Sequence, residues 1–141
     1  MSRIYWDTIL FIYWLEGHPK YASRVDEVYS RMQVRGDALL TASFTFGEVL
    51  AGVYRKGATQ AAREIQSQLR QVVTEVVDFT VETAHRYGQI RGSLGALPAD
   101  AIHLASAAQA GTDLFLTNDK RLMGKFVPGI HFLSSFEDNV L

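Results

Sequence analysis

The chain has 141 residues, a formal charge of −1 from 14 Lys and Arg against 15 Asp and Glu, and no cysteine. That length suits one domain over residues 1–141 with a sizeable core, and 48% hydrophobic against 21% charged residues argues against disorder. Lacking thiols, the chain cannot form disulfides, thiolate zinc sites or cysteine nucleophiles; lacking excess positive charge, it is no basic protein built to coat nucleic acid.

In chain order, Ile4, Tyr5 and Trp6 are β-prone and end at Asp7, which predicts a first strand. Residues 8–16 then read as a helix stopped by Gly17 and Pro19. Its apolar stretch, residues 9–15, falls far short of the ~20 residues that span a bilayer. Asp7 precedes that stretch and no small-residue cleavage site follows, so a soluble, cytoplasmic protein without a signal peptide is expected. Val25, Val28, Tyr29 and Met32 recur at helical spacing within residues 21–35, closed by Gly36, and residues 38–41 read as a short buried strand.

Ser43 or Thr45 is expected to cap a helix running to about Tyr54, followed by an amphipathic helix over residues 59–71. Residues 72–79 give the clearest strand signal, and Thr80 caps a helix carrying Val81, Ala84, Tyr87 and Ile90. Residues 92–98, rich in Gly, form the longest expected flexible segment. An Ala-rich helix over residues 99–110 ends at Gly111. Leu114, Phe115 and Leu116 then form a strand without alternation, as expected when both sheet faces are covered. A short helix and a last strand over residues 130–133 complete the chain. Strands alternating with helices, with no hairpin signal, predict a three-layer α/β/α sandwich on a mostly parallel sheet of about five strands.

Four acids, Asp7, Glu48, Asp100 and Asp119, fall where a strand is expected to end or a helix to begin. Open α/β sheets carry their sites at the carboxyl ends of strands, so the four are candidates for one patch. Such a patch repels itself unless a cation neutralises it, and oxygen-only ligands suit Mg²⁺ or Mn²⁺, which also bind phosphate oxygens. Each acid also has a plain structural reading. Asp7 and Asp119 can cap helices, Glu48 can close a capping box with Thr45, and Asp100 can gain from a helix dipole. His103, three residues after Asp100, is expected to be a packed or hydrogen-bonded residue and is not assigned as a ligand.

The joint pattern carries a resemblance. The segments Tyr5-Trp6-Asp7-Thr8, Thr45-Phe46-Gly47-Glu48 with its flanks, Pro98-Ala99-Asp100-Ala101-Ile102-His103, and Leu116-Thr117-Asn118-Asp119 resemble, in order and spacing, the four signature segments of PIN-domain ribonucleases. They are most similar to the VapC-type toxins of bacterial and archaeal toxin–antitoxin pairs. The resemblance implies that Asp7, Glu48, Asp100 and Asp119 are catalytic and bind Mg²⁺ or Mn²⁺, with support from Thr8, Thr117 and Asn118. It also implies an endoribonuclease that cleaves RNA by metal-activated water. Ile9 departs from the pattern, standing where family members commonly carry a small polar residue. That leaves open a catalytically silent PIN-like protein that binds RNA or a partner. A separate alternative, also α/β with acids at strand ends, is a phosphorelay receiver, for which only Asp78 could be the acceptor.

Lys120, Arg121, Arg55 and Arg91 are candidate RNA-backbone contacts, against the plainer reading of solvated helix faces. The helix bearing Leu10, Phe11, Tyr13, Trp14 and Leu15 is apolar around most of its circumference. Core packing is its default reading, but not all of that set can face inward from a surface helix. Under the resemblance it would receive a small antitoxin protein or a second copy in a homodimer.

Overall fold

The computed structural model describes residues 1–141. Five strands, β1 (Arg3–Trp6), β2 (Ala38–Ala42), β3 (Glu75–Val77), β4 (Thr112–Thr117) and β5 (Ile130–Ser135), form one sheet in the order β3-β2-β1-β4-β5. Every pairing is parallel, with β1 at the centre. The helices between them are α1 (Thr8–Leu15), α2 (Ala22–Arg35), α3 (Ser43–Arg55), α4 (Ala62–Val72), α5 (Val81–Leu94) and α6 (Pro98–Ala110). This is the α/β/α sandwich that the alternation of strands and helices predicts.

Successive strand residues point to opposite faces, and that alternation divides the core in two. Ile4, Trp6, Leu39, Leu114 and Leu116 pack with α1 to α4 on one face. Tyr5, Leu40 and Phe115 pack with α5 and α6 on the other. Since β1 and β4 are covered on both sides, residues 4–6 and 114–116 are apolar without alternation, whereas edge strand β5 exposes His131 and Phe132.

Several local expectations fail for identifiable reasons. The β-branched run at residues 72–79 yields only Glu75–Val77 as strand, because Val72 completes the last turn of α4 and packs against the core. Tertiary packing overrides strand propensity there. The expected flexible segment is mostly helix: α5 continues to Leu94, Gly95 closes it at φ 62°, and Pro98 opens α6. Residues 59–61 form a 3₁₀ turn ahead of α4. The expected cap of α3 is absent, since Ala42 occupies the cap position without a side-chain bond. Thr45 lies inside that helix, buried, with its hydroxyl 2.6 Å from that of Thr41.

The aromatic helix α1 turns more of its surface inward than its composition suggests. Leu10 and Phe11 are fully buried, Trp14 packs on Trp6 and Tyr29, and Tyr13 packs on Tyr21 and Phe136. Packing from α2 and from residue 136 wraps the helix on a second side. Only Ile12 and Leu15 front the groove between α1 and α3.

Gly129 precedes β5 at φ +100°, and a Cβ there would sit 2.6 Å from the Ala108 carbonyl oxygen. Gly129→Ala is expected to cost about 2–3 kcal/mol from backbone strain and the clash. Thermal denaturation should show the melting temperature falling by roughly 5–10 °C.

Candidate metal centre

The strand register brings the acids to one edge. Trp6 pairs with Leu116, and the Asp7 N–H continues the ladder onto the Leu116 carbonyl at 3.0 Å. Asp7 and Thr117 therefore leave the sheet side by side, at its carboxyl end. Thr117 is fully buried and indexes two acids at once: its hydroxyl donates to Asp7 Oδ2 at 2.7 Å and accepts the Asp119 N–H at 3.0 Å.

Asp7 caps α1, accepting the Thr8 N–H on Oδ1 at 2.8 Å, as its structural reading expects. Both its oxygens are engaged by Thr8 and Thr117. Ile9 packs into the core instead, so the hydrogen bonding expected from a polar residue at that position is supplied from elsewhere. Glu48, in the second turn of α3, closes no capping box. Its Oε1 accepts the Thr8 hydroxyl at 2.6 Å and lies 2.7 Å from His103 Nε2, which stands 3.5 Å from Asp7 Oδ1.

Asp100 occupies the first turn of α6, and Asp119 caps the 3₁₀ turn Lys120–Leu122. Arg121 donates to both oxygens of Asp119, at 2.6 Å from Nη2 to Oδ2, and its Nη2 lies 3.5 Å from Asp100 Oδ2. An unbroken chain of contacts thus runs from Glu48 through His103 and Thr8 to Asp7, through Thr117 to Asp119, and through Arg121 to Asp100.

The electrostatics divide the four. Burial pushes the Asp100 carboxyl up, and the charges of Asp119 and Asp7 push it further. Arg121 holds Asp119 below the usual carboxylate range, through its hydrogen bonds above all. Burial also acts to raise Glu48, but hydrogen bonds from His103 and Thr8 outweigh it and leave that carboxyl low. Two acids are thus matched to partners within the protein, whereas for Asp100 burial and the charges of Asp119 and Asp7 outweigh the opposing charges of Arg121 and His103.

The donor set fits a hard divalent cation: carboxylate oxygens from four different elements, with excess negative charge among them. No three or more His, Asp or Glu side chains are drawn close enough to cage an ion as they stand. Arg121, which is exposed, occupies the oxygens of Asp119 and would have to swing off for that residue to ligate.

Asn118 donates to the Tyr13 hydroxyl at 2.7 Å rather than to an acid. Of the candidate phosphate contacts, Lys120 and Arg55 are exposed, Arg91 is tied to the Ala96 carbonyl at 3.0 Å, and Arg121 faces the acids. Asp78 follows edge strand β3 and is exposed, not the end of a central strand as a receiver requires. His103 and Tyr5 belong to the site more intimately than the sequence suggests. Their signal was there, since His103 follows Asp100 by nearly one helical turn and Tyr5 precedes Asp7 by one strand repeat.

The class is that of α/β domains with an all-parallel sheet, and here the four acids lie beyond its carboxyl ends. Residues 4–125 match the PIN domain, and the chain belongs to the PIN domain family. In the crystal structure of VapBC2 from Rickettsia felis bound to a DNA fragment from their promoter, one chain shares this fold. It is 18% identical, with a TM-score of 0.72 over 94% of this chain and 98% of that chain. A chain of a toxin–antitoxin complex from Klebsiella pneumoniae is 20% identical, with a TM-score of 0.64 over 90% and 94%. No curated protein matches the sequence.

Proposed function

We propose that this protein is a Mg²⁺- or Mn²⁺-dependent endoribonuclease and the toxin of a toxin–antitoxin pair. The observation that carries the reading is the continuous set of contacts linking Asp7, Glu48, Asp100 and Asp119 at one sheet edge. A bound divalent ion supplies an activated water and shields charge on the phosphate. Asp7, Glu48, Asp100 and Asp119 are the residues to hold it. Thr8 and Thr117 fix the Asp7 carboxylate, and Arg121 balances Asp119 until the site is filled. Catalysis needs no side-chain nucleophile, and His103 has both ring nitrogens engaged within the protein.

Lys120, next to Asp119, and Arg55, beyond Glu48, are exposed and are the candidate contacts to the RNA backbone. The antitoxin partner is supported by the second similar structure, itself a toxin–antitoxin complex. The groove lined by Ile12, Leu15, Val49, Val53 and Ile65 offers an apolar surface for such a segment, or for a second copy in a homodimer. No helix of the chain is long and apolar enough to cross a membrane.

The deciding assay incubates the protein with a mixed structured RNA in Mg²⁺, in Mn²⁺ and in EDTA. Cleavage is expected with either metal, abolished by EDTA and restored by excess Mn²⁺. Cleavage that continues undiminished in EDTA would refute metal dependence; binding of RNA without cleavage under every condition favours the silent PIN-like alternative.

A further inference from the structure

His103 and Tyr5 are buried beside the acids, yet neither has a part in the chemistry above. Tyr5 points to the α5–α6 face, stacked on Phe115 with ring centroids 5.0 Å apart. His103 meets Tyr5 edge-on and also packs on Phe44, so both rings are fixed by their neighbours. The Tyr5 hydroxyl lies 2.7 Å from His103 Nδ1. A tyrosine phenol carries its proton at neutral pH, so the buried hydroxyl can donate to that nitrogen. Hydrogen-bond matching then assigns an acceptor role to Nδ1 and places the imidazole proton on Nε2. From Nε2 it is donated to Glu48 Oε1 at 2.7 Å, the oxygen that also accepts from Thr8. Glu48 Oε2 accepts no hydrogen bond within the protein.

We propose that Tyr5 and His103 are positioning residues that lock the Glu48 carboxylate, occupying Oε1 and leaving Oε2 for the divalent cation. The inference rests on the metal-centre reading above. It differs from a packed core histidine in one respect: the donor must sit where Nε2 sits. Partners that orient a metal-binding carboxylate or imidazole typically contribute 10–100-fold in metal affinity.

The experiment titrates Mn²⁺ alone into the full chain, with free Mn²⁺ followed by electron paramagnetic resonance and folding by metal-free thermal melts. His103→Gln sets an amide donor near the Nε2 position, whereas His103→Asn reaches only to that of Nδ1. Glu48→Gln and His103→Asn are each expected to weaken Mn²⁺ binding by about 10–100-fold. His103→Gln should restore most of the affinity. Tyr5→Phe keeps the ring and the fold and should weaken binding by a smaller factor, deciding the matter should His103→Asn fail to fold.

If wild type binds Mn²⁺ and Glu48→Gln weakens it, but His103→Asn and Tyr5→Phe match wild type, the positioning role is overturned and the metal centre stands. Equal losses in His103→Gln and His103→Asn, in step with their melting temperatures, also overturn it, since they denote packing alone. A wild-type chain that takes up no Mn²⁺ removes the metal centre and this role together.

Discussion

Replacing Asp7 or Asp100 with Asn is expected to lower metal-dependent RNA cleavage by about a thousandfold or more, with the fold intact. Neither substitution changes side-chain volume, and neither residue lies in the hydrophobic core. Asp7 in particular keeps an acceptor for the Thr8 N–H after the change, so α1 retains its cap. What disappears is charge at the meeting point of β1, β4 and α6, where a hard cation needs it. Gel-based cleavage with circular dichroism as the folding control separates the two effects. Cleavage within about tenfold of wild type in both variants contradicts the site, because a lost ligand costs far more.

Asp100→Asn has a second consequence, opposite in sign. The Asp100 carboxyl is raised in the folded chain by burial and by Asp119 and Asp7. A raised carboxyl means that the folded state binds its proton more tightly than the unfolded state. Its ionised form therefore destabilises the fold at every pH above the raised value. That penalty fades as pH falls and vanishes below the ordinary value of 3.8. Metal-free Asp100→Asn is thus expected to melt above wild type at pH 7, with the difference closing toward pH 4. Glu48 and Asp119 are lowered and act in the reverse sense, so they contribute stability at neutral pH that is lost on acidification.

With Mn²⁺ present the order should invert. A ligand bound only by the folded state adds about 2.7 kcal/mol at a hundredfold excess over its dissociation constant, and the variant lacks part of the site that earns it. Melts of both proteins in EDTA and in Mn²⁺ test the crossing. A variant less stable than wild type in EDTA at pH 7 shows that the aspartate is held by favourable contacts instead of strained by like charges.

How much of this was legible in the sequence depends on the range of the interaction. Strands β1 and β4 announce themselves because burial on both faces leaves apolar runs ending in Asp7 and before Asp119. Parallel pairing then obliges their carboxyl ends to share an edge, so the rough meeting of the acids follows from topology. What each acid touches does not follow. The bond from Thr117 to Asp7 and the Tyr5–His103 contact join residues about a hundred positions apart, and no local pattern encodes them.

Local patterns misled where a distant partner outbid a near one. Thr45 and Glu48 have the spacing of a capping box, yet Thr41 takes the hydroxyl and Thr8 and His103 take the carboxylate. The aromatic residues of α1 follow their default reading, since α2 and Phe136 cover them within the chain. Ile9 drew attention as a missing polar neighbour of Asp7. Thr117, already expected as a supporting residue, donates its hydroxyl to Asp7 Oδ2 at 2.7 Å.

Crystals of the wild-type chain soaked in Mn²⁺ and measured at the manganese edge offer the most direct test. An anomalous peak within ligand distance of Asp7 and Asp100, with the Arg121 guanidinium displaced from Asp119, is the predicted result. Well-ordered crystals at saturating Mn²⁺ with no peak there, and Arg121 still paired to Asp119, contradict the assignment of these carboxylates as a metal centre.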